Sequence, residues 1–197
     1  MPHLRRPAFA ATHPAHVTLR VRPDVPSLRT VRLVRELERS FADACDRGDF
    51  RLVHYSLQGN HVHLLVESAH RPALARGMKA VGARLARAVN RVFERSGPVL
   101  ADRYHMRVLK TPREVRNALR YVLLNARRHA RKLVGRVLLD PASSARWFDG
   151  WRQDGTPTTK EDGETSTRPV ARARTWLLMT GWRRHGLLDP ADVPGSG

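Results

Sequence analysis

One cysteine in 197 residues, Cys45, excludes an intramolecular disulfide and a cysteine-cluster zinc site, and it suits a reducing compartment. It is expected on the buried side of a helix. Long apolar runs are missing too: none approaches the ~20 residues needed to span a bilayer. The opening MPHLRRPAFAATHPAH lacks the apolar core of a secretory signal, so the expected location is the cytoplasm. Acidic residues are scarce, 18 Asp and Glu against 36 Lys and Arg, giving a formal net charge of +18. Such an excess repels itself on compaction unless an anion neutralises it. With no membrane anchor expected, nucleic acid is favoured over an anionic membrane surface as the partner. Aromatic residues make up only 6% of the chain. A sheet that stacks bases on exposed aromatics, as RNA-recognition modules do, is therefore poorly supplied.

What is present is regular patterning. HVTLRV (16–21) alternates as a strand, closed by Pro23 and Pro26. From Leu28 to about Arg47, Val31, Val34, Leu37, Phe41 and Ala44 recur at helical spacing. FRLVHYSL (50–57) and HVHLLVE (61–67) read as strands joined by Gln58-Gly59-Asn60, where Gly59 and Asn60 tolerate positive φ. Residues 72–95 predict an amphipathic helix with Leu74, Met78, Val81, Leu85, Val89 and Val92 in one arc. RYHMRVLK (103–110) is a further strand, and Thr111-Pro112-Arg113-Glu114 is a capping box that opens a third helix to roughly Leu133. The order strand, helix, strand, strand, helix, strand, helix places the chain in the α+β class. It matches a ferredoxin-like split βαβ antiparallel sheet with an added helix. Residues 1–150 form the expected domain. Residues 151–170, rich in Thr, Gly, Asp and Glu, read as a flexible linker, and 171–197 as a C-terminal helical tail. In that tail Trp176, Leu177 and Trp182 are available to dock on the body.

Three features carry chemistry. On a strand, His61, His63, Leu65 and Glu67 share one face, so two imidazoles stand side by side. They suit two metal-ligand nitrogens, and equally two hydrogen-bonded residues on a half-exposed sheet. On the third helix, Tyr121 falls roughly 100–200° from the apolar arc of Val115, Leu119, Val122, Leu123 and Ala126. It shares its face with Asn125, one turn on. Tyr121 is a candidate nucleophile or a cover for the core rim. Arg76, Arg84, Arg87 and Arg91 on the second helix, with Arg116, Arg120 and Arg128 on the third, are candidates to track a phosphate backbone.

NHVHLLVE, with the helix pattern Tyr121-Val-Leu-Leu-Asn125 and a basic segment after it, resembles the single-tyrosine HUH transposases. Within them it is most similar to the REP-associated tyrosine transposase branch, over residues 14–140. The resemblance implies a nuclease core acting on single-stranded or hairpin DNA, as monomer or homodimer. It implies Mg²⁺ or Mn²⁺ held by His61, His63 and Asn125, and Tyr121 as the nucleophile of a 5′-phosphotyrosine intermediate. The family often carries Pro where this chain has Gly59 and Ala126. A non-catalytic DNA- or RNA-hairpin binder on the same fold is the alternative reading.

Overall fold

The computed structural model describes residues 10–43, 45–129, 139–152 and 168–192, with only the backbone for 126–129. Four strands, β1 (Ala15–Arg20), β2 (Phe50–Leu57), β3 (His61–Ser68) and β4 (His105–Val108), form one sheet in the order β2-β3-β1-β4. Every pairing is antiparallel, which is the ferredoxin-like split βαβ arrangement. The predicted strand at 103–110 shrinks to four residues. As the sheet's edge strand it pairs only with Ala15–Thr18 of β1 and leaves His105 and Arg107 exposed.

Helices α1 (Val31–Ala42) and α2 (Arg71–Val92) cover one face of the sheet. There Val17, Leu19, Tyr55, Val62, Leu64 and Val66 meet Leu33, Leu37, Phe41, Leu74, Met78, Val81, Leu85 and Val89 in one core. The first helix is shorter at both ends than its periodicity predicts. Thr30 caps it, accepting from the Leu33 amide, while Leu28 is buried in the preceding loop and Val31 is 69% exposed. Cys45 lies beyond the helix and is half-buried, its Sγ 3.6 Å from the Ala42 carbonyl oxygen. The β2–β3 turn closes through Gln58 N–H to His61 O, and neither Gly59 nor Asn60 takes positive φ. Instead their carbonyls accept from Leu28 and Val21, so the preceding loop holds the turn.

Helix α3 (Pro112–His129) packs on the other face. Its capping box forms: Thr111 Oγ1 accepts from the Glu114 amide, and Glu114 Oε2 accepts from the Thr111 and Lys110 amides. The helix's continuation to Leu133 falls outside the described residues, as does the linker over 153–167. A second core joins Val53, Leu65, Leu119, Val122 and Leu123 to Phe148, Trp151, Leu177, Leu178 and Trp182. The predicted tail helix is a short α4 (Trp176–Met179) followed by a 3₁₀ turn over Gly181–His185. Leu177 and Trp182 dock as expected, whereas Trp176 stays 49% exposed. Gly150 lets Trp182 and Phe148 close in, because a Cβ there would collide with both rings.

His54, on the same face, sits inside this second core with Nδ1 3.1 Å from Ser144 Oγ. Burial, helped by the Arg168 charge, pushes its pKa down to about 3. It is neutral when folded but protonates in the unfolded chain below about 6.5. Its contribution is thus complete above pH 6.5 and is lost as the pH falls from there towards 3. At up to ~1.4 kcal/mol per pH unit, urea unfolding at pH 6.5 and pH 5 should differ by about 2 kcal/mol more in the original chain than in His54→Gln.

Candidate active site

The pleat of β3 turns His61 and His63 toward the α3 face while Val62 and Leu64 enter the other core. Beside it, β1 pairs Thr18 with His63 and Arg20 with His61. His63 is almost wholly buried, and both of its nitrogens are engaged. Nε2 lies 3.0 Å from His61 Nε2; Nδ1 lies 3.2 Å from both His16 Nε2 and Thr18 Oγ1. Asn60 Oδ1 sits 2.8 Å from His61 Nδ1.

These partners permit two proton arrangements. In one, His63 Nε2–H donates to His61 Nε2 and the Thr18 hydroxyl donates to His63 Nδ1. In the other, His63 carries its proton on Nδ1, where His16 Nε2 or Thr18 Oγ1 accepts it, and His61 donates from Nδ1 to Asn60. The two Nε2 lone pairs then face one region. Burial, with the charges of His16 and His61 adding, pushes the His63 pKa down to about 3. Burial and then the Arg107 charge push His16 down to about 4. Both rings are neutral at pH 7, the state in which imidazole binds metal.

Tyr121 comes to this cluster from α3. Its half-buried ring stands edge-on to His63 with centroids 5.0 Å apart, and 5.8 Å from His16. One turn along, Asn125 is 2% exposed, and its Oδ1 is buried with no hydrogen-bond partner among the described residues. A buried amide oxygen left orphaned costs roughly 1–3 kcal/mol unless something engages it. Among the described residues no three His, Cys, Asp or Glu groups converge as a metal cage.

The arginines are distributed differently. On α2, across the sheet from Tyr121, Arg76 pairs with Asp49, Arg91 with Glu36, and Arg84 donates to the Ser40 carbonyl; Arg87 is exposed. On α3, Arg116 donates to the Gly186 and Leu187 carbonyls and Arg120 lies 4.0 Å from Asp192, so both tie the helix to the tail. The Arg128 side chain lies outside the described residues. The strand register sets Arg20 opposite His61 and Arg107 opposite His16. His16, Thr18, Arg20 and Arg107 were not singled out from sequence. Their signal is the alternation of HVTLRV and RYHMRVLK, which becomes informative only once the strand register is known.

Residues 12–123 match the family model described as "Transposase IS200 like". Among solved structures, the chain is similar to a REP-associated tyrosine transposase bound to a REP hairpin. That similarity has 14% identity, 66% of this chain and 74% of the other covered, and a TM-score of 0.50. It is also similar to a chain from Deinococcus radiodurans assigned as a transposase, at 16% identity, 56% and 87% coverage and a TM-score of 0.41. No curated protein matches the chain.

Proposed function

Because the chain belongs to the IS200-like transposase family, we propose that it cuts and rejoins single-stranded DNA at or beside a hairpin, with Tyr121 as nucleophile. The observation that carries this reading is the meeting, within one chain, of a half-buried phenol and an imidazole pair, Tyr121 and His63 being 5.0 Å apart by ring centroid. One copy holds both groups, so the reading suits a monomer or a homodimer. A structurally similar protein is bound to a hairpin, and the same DNA shape is proposed here.

The residues fit a divalent metal, Mg²⁺ or Mn²⁺. The 3.0 Å between the two Nε2 atoms equals the edge of an octahedron with bonds of about 2.1 Å. The orphaned Asn125 oxygen supplies a third, harder donor. When bound, such an ion polarises the scissile phosphate and neutralises charge in the transition state.

The chain's own groups do the rest. Tyr121 Oη forms a bond to phosphorus as the bond from phosphorus to the preceding nucleotide's 3′-oxygen breaks. The phenolic proton is released, and the departing 3′-oxygen takes one up. The 5′-phosphotyrosine retains the bond energy, so a later 3′-hydroxyl reverses the step and joins strands without a nucleotide cofactor. His16 and Thr18 orient the His63 ring, as partners behind a ligating histidine do. His16→Ala should weaken Mn²⁺ binding about 10- to 100-fold in calorimetric titration. The whole reading is tested by incubating hairpin DNA that has a single-stranded flank with the protein and Mg²⁺ or Mn²⁺, or with chelator. Cleavage in metal alone is expected; tight binding with no cleavage in either metal leaves a binder.

A further inference from the structure

The C-terminal segment does more than cover the second core. Between it, residues 11–13 and the start of α3 lies a cavity of about 620 Å³, within the ~300–1,000 Å³ of small-molecule sites. Its polar lining includes His13, Arg51, Lys110, Arg174 and Thr175, and Trp176 adds an indole wall. Glu67, which bonds to three of these residues, is fully buried and already accepts from Arg51, the Arg174 and Thr175 amides and the Thr175 hydroxyl. The Arg174 guanidinium lies 3.3 Å from Asp46 and its side chain remains 62% exposed. Lys110 is exposed. The cavity is therefore cationic at its mouth.

Trp176 is the informative residue. It is one of three large hydrophobic side chains exposed among the described residues, at 49%. Its ring is nonetheless fixed: a Cβ at Gly181 would come within 2.7 Å of Cζ3, and the Arg184 guanidinium sits 4.8 Å from the ring centre. A packed indole beside exposed cations is the pairing that binds single-stranded nucleic acid, bases stacking on the ring and phosphates meeting the charges.

Its position suits the same strand. Glu67 and His63 lie on one face of β3 four residues apart, ~13 Å at 3.3 Å per residue. Along α3, Pro112, which lines the cavity, precedes Tyr121 by nine residues, again ~13 Å at 1.5 Å each. At the rise of about 3.4 Å per nucleotide of a duplex strand that span is about four nucleotides, and an extended single strand covers it in fewer. Resting on the function proposed above, we infer that the cavity is a second DNA subsite. It holds a nucleotide of the strand flanking the scissile phosphate, with the base against Trp176 and phosphate against Lys110 and Arg174.

The full chain is mixed with flanked hairpin DNA carrying 5-iodouracil at successive flank positions, irradiated, and its cross-links are mapped. Cross-linking at Trp176 from a position a few nucleotides from the cut is expected. Trp176→Ala and Lys110→Ala, at exposed positions that leave the fold intact by thermal melting, should each weaken binding of the flanked hairpin roughly tenfold. Neither should change binding of the hairpin without its flank. Cross-links confined to other regions, or affinities within twofold of the original, overturn the subsite. A chain that forms the covalent adduct yet shows no cross-link at Trp176 defeats this inference alone. One that cross-links at Trp176 but never forms an adduct defeats the catalytic reading and leaves the subsite standing.

Discussion

Tyr121→Phe is expected to abolish the covalent protein–DNA adduct and to lower strand cleavage by at least about 10³-fold. DNA affinity should stay within about 13-fold, the factor that matches the ~1.5 kcal/mol upper end for one neutral hydrogen bond. The substitution removes Oη alone, since a phenyl ring keeps the edge-on contacts with His63 and His16. The other two tyrosines offer no replacement. Tyr55 is fully buried, bonded to Glu38, and burial pushes its phenol well above the usual pKa. Tyr104 packs against the core on the α1/α2 side of the sheet. Gel-resolved adduct formation and filter-binding affinity, measured on one preparation, check both halves.

Glu67→Leu is expected to cost about 3–5 kcal/mol of stability in urea unfolding. The carboxylate is fully buried and gathers Arg51 at 3.0 Å together with the Arg174 and Thr175 amides and the Thr175 hydroxyl. Losing it strands Arg51, itself only 9% exposed, and frees the start of α4, so Trp182 loses the anchor that precedes it. A double substitution, Glu67→Leu with Arg51→Leu, should recover much of the loss, because the unpaired charge is then gone as well. A single-substitution cost below 1 kcal/mol would show that the buried carboxylate does not hold the tail.

Much of this architecture was legible locally. Alternation along HVHLLVE put His61, His63 and Glu67 on one face, and the position of Tyr121 off the apolar arc pointed it away from the helix's packing stripe. Thr111 and Glu114 form their capping box as spaced. The losses have one physical origin: contacts between residues remote in sequence. His16 and Thr18 reach His63 across 47 and 45 residues, through a register that no single strand encodes. An amphipathic pattern gives α2 a basic face but neither the layer it occupies nor Asp49 and Glu36, which neutralise part of it. Glu67 was visible as a face-mate of the histidines, yet its partner Thr175 lies 108 residues away. The hairpin turn was foreseen while its backbone was not, because carbonyl bonds to Val21 and Leu28 replace the positive φ that the turn residues allow.

The most direct test is peptide mass spectrometry of the protein trapped on flanked hairpin DNA with Mg²⁺ or Mn²⁺. The account predicts a nucleotide remnant joined through its 5′-phosphate to the peptide containing Tyr121, and none when chelator replaces the metal. A remnant on the peptide of Tyr55 or Tyr104, or no remnant from DNA bound to saturation with metal present, would contradict it.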